Sequence, residues 1–487
     1  MTHLSRSLLL ALAVSASLSA QSVLSDFTGP SPDGWSGAIN GVTTFPNGST
    51  VASGVTESGN DVLNLSDGGF GGGAVRTYSG LPVGGFVTIS AKARILTDPG
   101  TLNPDPNSNP GTFGSSFGLA AGSTGLEDQS FGYGRSLSTT ADDSGQSFVH
   151  YAATVRADGS GDFTAFFTPD QHDHAVGLGG WVVQLDDVTH ENCFGAPVTL
   201  SDFASGTDGW ASITPTTAPF GSGFTSVSQA AGELVMTDGG FAGGAFNTYV
   251  GAAPSAGVHT VMVDVRIVTD SGSVDRARIA AAVGGVTTDY WDLSFSQSFA
   301  TAGDDTGQLL QTVAVPVITN GPADITLYVL SDYDASIGGG AWEIHIDNVR
   351  VASPTTATTS LSAACGAGHH SLAGPVLSFP GLPTLGANFA IDGGNMAGVL
   401  SVLFVGTEVA PVSLSPFGSI VGSQACISPL GTLTAVPGPT ASVNILIPNN
   451  AVLCGQGLST QWVDLDLSMP FALPLGTSRA GTFQVGL

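Results

Sequence analysis

The sequence predicts an all-β protein with two tandem β-sandwich domains and a third β-sandwich domain at the C-terminal end. Its 487 residues include 68 glycines and 27 prolines, and only 10% are charged. This composition disfavours long helices and favours turn-rich β structure. A long internal repeat and short stretches of alternating polarity support the same prediction.

The N-terminal segment has the features of a secretory signal peptide. His3 and Arg6 precede the apolar run LLLALAVSA, which starts at Leu8, and small residues continue to Ala20. The run is too short to span a bilayer, and no later segment reaches the roughly 20 apolar residues that a spanning helix needs. We therefore expect residues 1–20 to be a signal peptide and the mature protein to be secreted, extracellular or at the cell surface.

A tandem duplication forms the next part of the chain. The stretch LNLSDGGFGGGAVRTY returns as LVMTDGGFAGGAFNTY, and WVVQLDDV returns as WEIHIDNV. Two more pairs recur in the same order, SDFTGPSPDGW with SDFASGTDGW and AKARILTD with VDVRIVTD. The copies run over residues 22–194 and 198–353. Their period exceeds the roughly 20 to 50 residues of solenoid repeats, so each copy is predicted to be a domain.

Each copy reads as a series of short strands. Stretches such as VTISAKARI and TVMVDVRIV alternate in polarity and are bounded by Gly, Asp, Asn or Pro, which is typical of half-buried strands. A Ser/Thr/Ala-rich linker follows over residues 354–364. Residues 365–487 do not match the repeats but contain the strand-like runs VLSVLFVG and GTFQVGL. We predict a third, all-β domain there.

The glycine cluster that follows Asp67 recurs after Asp238. Neither copy has the lysine that a phosphate-binding loop requires. We interpret the cluster as a tight turn in which the glycines supply positive φ, and a ligand-contacting loop is the alternative. Phe70 and Phe241 are then the apolar anchors of the two turns.

The charge of the chain disfavours one class of partner. The net charge is -27, and Lys92 is the only lysine. Nucleic acid is a poor partner for such a surface, whereas divalent cations and neutral ligands suit it. Solubility alone is an equally good explanation of the charge.

The outline of each copy resembles the jelly-roll carbohydrate-binding modules of the galactose-binding-like superfold. The shared features are an opening DF…DGW phrase, a glycine-rich stretch that ends in Tyr, and a closing aromatic strand with DDV or DNV. The resemblance implies two jelly-roll β-sandwiches that bind polysaccharide or cell-surface glycan. Because the superfold hosts many functions, the ligand stays open.

The C-terminal segment is similar to a terminal β module of many large secreted bacterial proteins. The similarity rests on GLPTLGANFAI, GSQACISP, LIPNN and the final GTFQVG. It implies export and surface association, and it favours a disulfide between Cys365 and Cys426. The four cysteines of the chain permit three pairings.

The resemblance also implies a structural calcium ion in each repeat. In such modules an acidic residue on the last strand helps to hold the ion where the two chain ends meet. The matching residues here are Asp186 and Asp347 on the closing strands, with Asp26 and Asp202 on the opening strands. Calcium takes several oxygen ligands, including backbone carbonyls, so one or two carboxylates per site suffice. The alternative is that each aspartate caps a strand end.

Alternation divides the closing strand of the second copy into two faces. The predicted core face is Trp342, Ile344, Ile346 and Asn348, and the opposite face is Glu343, His345 and Asp347. The tryptophans that we assign to the cores of the repeats are Trp35, Trp181, Trp210 and Trp342.

A candidate sugar site follows from the same parity argument. In the stretch DYWDLSF, Tyr290 and Asp292 face away from the core. If this strand shares a sheet with the closing strand, both residues join Glu343 and His345 on one open surface. A ring to stack on a sugar and polar groups to bond its hydroxyls would then lie together. An ordinary solvated polar face is the alternative.

Catalytic motifs are missing from the sequence. There is no GxSxG elbow and no HExxH, so we predict a non-catalytic protein. The duplication agrees, because doubled binding modules gain avidity. Two alternatives stay open, a structural envelope or adhesion protein without a sugar ligand and a polysaccharide hydrolase of unrecognised type.

Overall fold

The computed structural model describes most of the chain from residue 21 onward. The described residues are 21–27, 32–37, 51–57, 60–67, 74–81, 85–97, 116–122, 131–133, 147–168, 181–214, 225–238, 243–269, 276–287, 293–295, 299–300, 309–330, 342–362, 375–395, 400–414, 424–436, 440–448, 453–465, 467 and 475–486. Within them the regular structure is strand, and no α-helix occurs. The protein is therefore all-β, as predicted. It forms two compact units, one of Ser22–Ser353 and one that contains Pro354–Leu487.

The first repeat is a sandwich of antiparallel sheets. Its strands are β1 Gln21–Ser25, β2 Ser36–Gly37, β3 Val51–Glu57, β4 Asn60–Asp67, β5 Ala74–Tyr78, β6 Phe86–Thr97, β7 Ser116–Ala121, β8 Phe131–Tyr133, β9 Val149–Arg156, β10 Phe163–Thr168 and β11 Trp181–Glu191. One sheet, which we call sheet I, has the order β3-β4-β11-β6-β9, with β1 on β11. The other layer has the order β2-β5-β10-β7-β8.

The second repeat has the same arrangement. Its strands are β12 Val198–Ser201, β13 Ala211–Ser212, β14 Thr225–Ala230, β15 Glu233–Asp238, β16 Gly244–Ala253, β17 Gly257–Thr269, β18 Arg276–Val283, β19 Leu293–Phe295, β20 Phe299–Ala300, β21 Gln311–Thr319, β22 Ala323–Leu330 and β23 Trp342–Ala352. One layer, sheet III, has the order β14-β15-β23-β17-β21, with β12 on β23. The other has the order β13-β16-β22-β18-β19, with β20 on β18.

The two repeats share a sheet. Strand β8 of the first repeat pairs with β19 of the second, so the second layers of both sandwiches form one 11-stranded sheet, sheet II. We did not predict this junction from the sequence, because each copy contains a complete set of strands. The repeats therefore lie side by side in one compact unit and are not two domains separated by a linker.

Buried aromatic residues fill the space between the layers, as predicted. Trp35, Trp210 and Trp342 are at most 4% exposed, whereas the side chain of Trp181 lies outside the described set. The duplication extends to single contacts: Ser25 bonds Tyr78 across 2.9 Å, and the matching pair in the second repeat has the same distance. The cores of the two repeats are thus built on one plan.

A bulge corrects one prediction in the closing strand. Glu343, His345 and Asp347 alternate with buried residues as expected. Asn348, which we assigned to the core face, is instead part-buried and has a φ of +46°. The ladder between β17 and β23 shifts register beside it. An extra residue at a bulge resets the alternation, so Val349 takes the core position.

The glycine cluster is also explained differently where it is described. Gly244 is the first residue of β16 and is not among the residues with positive φ. A Cβ at this position would lie 2.3 Å from the carbonyl oxygen of Val329 and 2.7 Å from the Cδ1 of Ile213. Close packing of neighbouring strands therefore requires this glycine. Phe70 and Phe241 lie outside the described residues.

The C-terminal unit is a smaller all-β sandwich. Its strands are β24 Thr358–Leu361, β25 Val376–Ser378, β26 Asn388–Gly394, β27 Leu400–Ser413, β28 Gln424–Val436, β29 Ala441–Leu446, β30 Gly457–Leu465, β31 Leu475–Thr477 and β32 Gly481–Gln484. One sheet has the order β24-β32-β30-β27-β28, with β31 on β30, and the other has the order β25-β26-β29. Trp462 is fully buried in its core.

The described cysteines are all oxidised. Cys193, Cys426 and Cys454 are each disulfide-bonded. Cys365 lies outside the described residues, so its pairing with Cys426 stays a prediction.

Candidate functional site

A cluster of four charged or titratable side chains lies on the outer face of sheet III in the second repeat. Three adjacent strands supply it: Glu233 starts β15, Arg266 lies on β17, and Glu343 and His345 lie on β23. We call these residues the Glu233 cluster. They face away from the core because they alternate with the buried residues of their strands.

His345 is the centre of the Glu233 cluster. Its Nδ1 lies 2.5 Å from Oε2 of Glu233, and its Nε2 lies 2.5 Å from Oε1 of Glu343. The guanidinium of Arg266 donates to the same Oε2 of Glu233 at 2.6 Å. Arg266 Nη2 also lies 3.3 Å from Nδ1 of His345. The ring is therefore held between two carboxylates and a guanidinium.

The electrostatics of the cluster favour an ionised Glu233. Burial raises the pKa of this carboxyl, but the hydrogen bonds from His345 and Arg266 outweigh burial and hold the pKa below its usual range. Side-chain exposure runs from 14% for His345 to 35% for Glu343. A ligand can thus reach the carboxylates and the guanidinium while the ring stays fixed between them.

The first repeat lacks this chemistry at the same positions. Arg94 pairs with Gln184 across β6 and β11, just as Arg266 pairs with His345, and Arg94 Nε donates to Gln184 Oε1 at 2.8 Å. The two glutamates of the second repeat correspond to valines in the first, Val62 for Glu233 and Val182 for Glu343. The first repeat therefore folds without acidic residues at these positions.

Two of the four predicted sugar-binding residues are not part of this site as described. Tyr290 and Asp292 lie outside the described residues. The strand that follows them, β19, pairs with β18 and β8 in sheet II, whereas Glu343 and His345 lie on sheet III. Residues 293–295 of that stretch therefore lie on a different sheet from the closing strand, because alternation assigns a residue to a face and not a strand to a sheet. The role of Tyr290 and Asp292 stays a prediction.

Sequence reasoning missed two members of the Glu233 cluster. Glu233 and Arg266 lie on strands that are distant from β23 in the chain but adjacent to it in the sheet. A signal was present, because Glu233 is a carboxylate where the other repeat has Val62. Comparison of the two copies position by position would have singled it out.

Two of the four predicted calcium ligands, Asp186 and Asp347, cap the bulges of the closing strands. Asp347 Oδ1 accepts from the backbone N of Asn348 at 2.7 Å, and Asp186 accepts from the next residue in the same way at 2.9 Å. Asp202 accepts from the backbone N of Ala204. Asp202 follows the end of β12 and fits the strand-end alternative, whereas Asp186 and Asp347 cap bulges inside their strands. Asp26 is exposed on the opening segment.

Negative charge nevertheless accumulates around Asp347. Burial raises the pKa of this carboxyl, and the nearby charges of Asp264, Glu233 and Asp202 raise it further. Such a group is the kind that a cation stabilises. In the part of the chain that the structure describes, no group of three or more His, Cys, Asp or Glu side chains is arranged to hold a metal ion. A calcium site here would therefore need backbone oxygens, and it stays a prediction.

We predict that EDTA lowers the melting temperature of the full chain. A ligand that binds only the folded state stabilises it by about 2.7 kcal/mol at a hundredfold excess over Kd. Differential scanning calorimetry of the parent and of Asp347→Asn checks this. If Asp347 binds calcium, the variant melts earlier and loses part of its response to EDTA. If Asp347 only caps the bulge, the variant melts at the same or a higher temperature, because it relieves charge repulsion.

Comparison with known proteins gives weak likenesses. No family model and no curated protein matches the chain. The CBM22-1–CBM22-2 tandem domain of Xyn10C from Paenibacillus barcinonensis is 11% identical and covers 69% of this chain and 98% of its own, with a TM-score of 0.23. The adhesin domain of Epf from Streptococcus pyogenes is 9% identical and covers 54% and 79%, with a TM-score of 0.19.

A third solved structure covers nearly the whole chain. It is described as the triple jelly-roll fold and turret assembly of an archaeal virus, is 8% identical, covers 97% of both chains and has a TM-score of 0.18. At such identities and TM-scores these likenesses carry no argument about fold or function. Separately, none of the described segments forms a helix of the length and hydrophobicity that a membrane span requires.

Proposed function

We propose that the protein binds polysaccharide or cell-surface glycan through the outer face of sheet III in the second repeat, without catalysing a reaction. The observation that carries this proposal is the Glu233 cluster, which the first repeat replaces with an Arg–Gln pair and two valines. We further propose that the protein is exported, and that the unit Ser22–Ser353, which contains both repeats, is the part that binds the glycan.

The chemistry of the cluster suits the hydroxyl groups of a sugar. Carboxylates accept hydrogen bonds from hydroxyls, and a guanidinium donates to ring and hydroxyl oxygens. Hydrogen bonds to charged groups are stronger than those between neutral groups, at about 1.5–3 kcal/mol each. Because His345 and Arg266 already fix Glu233, little side-chain freedom remains to be lost on binding. The site is thus organised before a ligand arrives.

The first repeat supplies the variant that tests this proposal. The triple substitution Glu233→Val, Glu343→Val and His345→Gln gives the second repeat the side chains that the same strands carry in the first. Arg266 then keeps a glutamine partner, as Arg94 does. We expect the full-length variant to fold and to lose affinity for the glycan about tenfold or more, since about 1.4 kcal/mol corresponds to tenfold. A glycan array followed by titration measures this loss.

The matched control changes an exposed residue on the other layer of the sandwich. Val250 lies on β16 in sheet II and is exposed, so Val250→Ser should leave binding unchanged. Equal binding by the triple variant and the parent would place the site elsewhere. No binding on any array would favour the structural or adhesive alternative, and release of reducing ends from the same polysaccharides would favour a hydrolase.

A further inference from the structure

The two repeats touch each other through equivalent residues. Strands β8 and β19 occupy the same place in their repeats, because Tyr133 pairs with Gly118 just as Phe295 pairs with Ala280. Tyr133 and Phe295 also pair with each other, in an antiparallel ladder. Two equivalent strands that pair antiparallel at equivalent residues are related by a local two-fold axis.

A second contact lies on the same axis. Thr88 of β6 and Thr260 of β17 occupy equivalent positions in the two repeats. Thr88 pairs with Thr154 of β9, and Thr260 pairs with Pro316, the equivalent residue of β21. The Oγ1 atoms of Thr88 and Thr260 are 3.3 Å apart. Both threonines are buried although they point away from the cores of their own sandwiches. They are therefore covered by the other repeat.

The residues beside these threonines are small in both copies. Ala152 on β9 and Ala314 on β21 are equivalent, and both are at most 3% exposed on the outward side of their strands. Strands β9 and β21 contact each other directly. Small side chains on both partners allow two sheets to approach closely at an axis. The same surface patch is thus used twice, which is the definition of an isologous interface.

We propose that the surface joining the repeats is self-complementary, so that one repeat binds a second copy of itself in the way that it binds its sibling. The second repeat has its own core, because the buried cluster around Trp342 contains residues of that repeat alone. Separated from the first repeat, it would present the unpaired edge of β19 and the buried face of Thr260. A second copy offers the same edge and the same face, and both are satisfied when the copies pair about the axis.

The experiment uses residues 198–353, which contain no cysteine. We expect this segment to be folded by circular dichroism and to have twice the mass of one repeat in sedimentation equilibrium. Thr260→Arg should convert it to a folded monomer, whereas Ser228→Arg, at the far edge of the same sheet, should remain a dimer.

Cross-linking locates the axis. Because equivalent residues meet there, Thr260→Cys in residues 198–353 should form a disulfide-linked dimer on mild oxidation, and Ser228→Cys should not. In the full chain, Thr88→Cys with Thr260→Cys should instead close within one molecule. The proposal is overturned if the unsubstituted segment 198–353 is a folded monomer or is unfolded. Equal cross-linking of Thr260→Cys and Ser228→Cys would also overturn it.

Discussion

Acidification from pH 7 to pH 4 is expected to destabilise the unit Ser22–Ser353 by on the order of 3 kcal/mol through His190 alone, at about 1.4 kcal/mol for each tenfold change in proton affinity. His190 is 2% exposed, and burial lowers its pKa from 6.5 to about 4. Between about pH 6.5 and pH 4, His190 is protonated in the unfolded chain but stays neutral in the folded chain. The free energy of unfolding therefore falls as the pH falls from about 6.5 to about 4, and it does not depend on His190 above that window.

The second repeat again supplies the matched variant. The position of His190 corresponds to Val351, a buried core residue, and the ring accepts a long hydrogen bond of 3.3 Å from Asn192. We expect His190→Val to be close to neutral at pH 7 and to stabilise the protein by about 2 kcal/mol or more at pH 4. Denaturant unfolding at both pH values measures this. Parallel pH profiles for parent and variant would contradict the assignment.

Burial also lowers the pKa of His259 in the second repeat. Here the second repeat carries the histidine and the first repeat carries the valine. The equivalent of His259 in the first repeat is Val87. Unlike His190, this ring lies within hydrogen-bond distance of Ser353, Thr319 and the carbonyl of Ser255. His259→Val should therefore destabilise the protein at neutral pH, because it removes partners from buried polar groups.

Gly244→Ala is expected to destabilise the second repeat by about 3 kcal/mol, at the upper end of overpacking costs. The new Cβ would lie 2.3 Å from a carbonyl oxygen of the neighbouring strand, so the backbone of β16 or β22 must move. Gly321 has open space around its Cβ position, and Gly321→Ala should be neutral or slightly stabilising. Thermal unfolding of both variants decides the matter, and equal melting temperatures would show that the strands are not in close contact at Gly244.

The all-β class and the core of each repeat were predictable because they depend on local periodicity. Alternation placed Trp342 inside and Glu343 and His345 outside, and the structure agrees. Asn348 failed because a bulge changes the parity, and a bulge depends on the partner strand. The alternation of residues within one strand contains no information about the strand with which it pairs.

The junction between the repeats and half of the Glu233 cluster depend on which strands become neighbours. Ala152 and Ala314 are small where an outward-facing residue is usually polar, and this was the available sign that another surface covers them. Glu233 and Arg266 meet His345 through sheet order, which strand periodicity does not encode. Comparison of the two copies recovers part of this information, since a difference at an equivalent position marks what the fold itself does not require.

The number of glycan sites per chain tests the functional account most directly. The Glu233 cluster exists in the second repeat, and the matching positions of the first carry Gln184 and two valines. Isothermal titration of the full chain with a short soluble glycan chosen from the array should therefore give one site per chain. The triple variant Glu233→Val, Glu343→Val, His345→Gln should remove that site. Two equal sites, or one site that survives in the triple variant, would contradict the account.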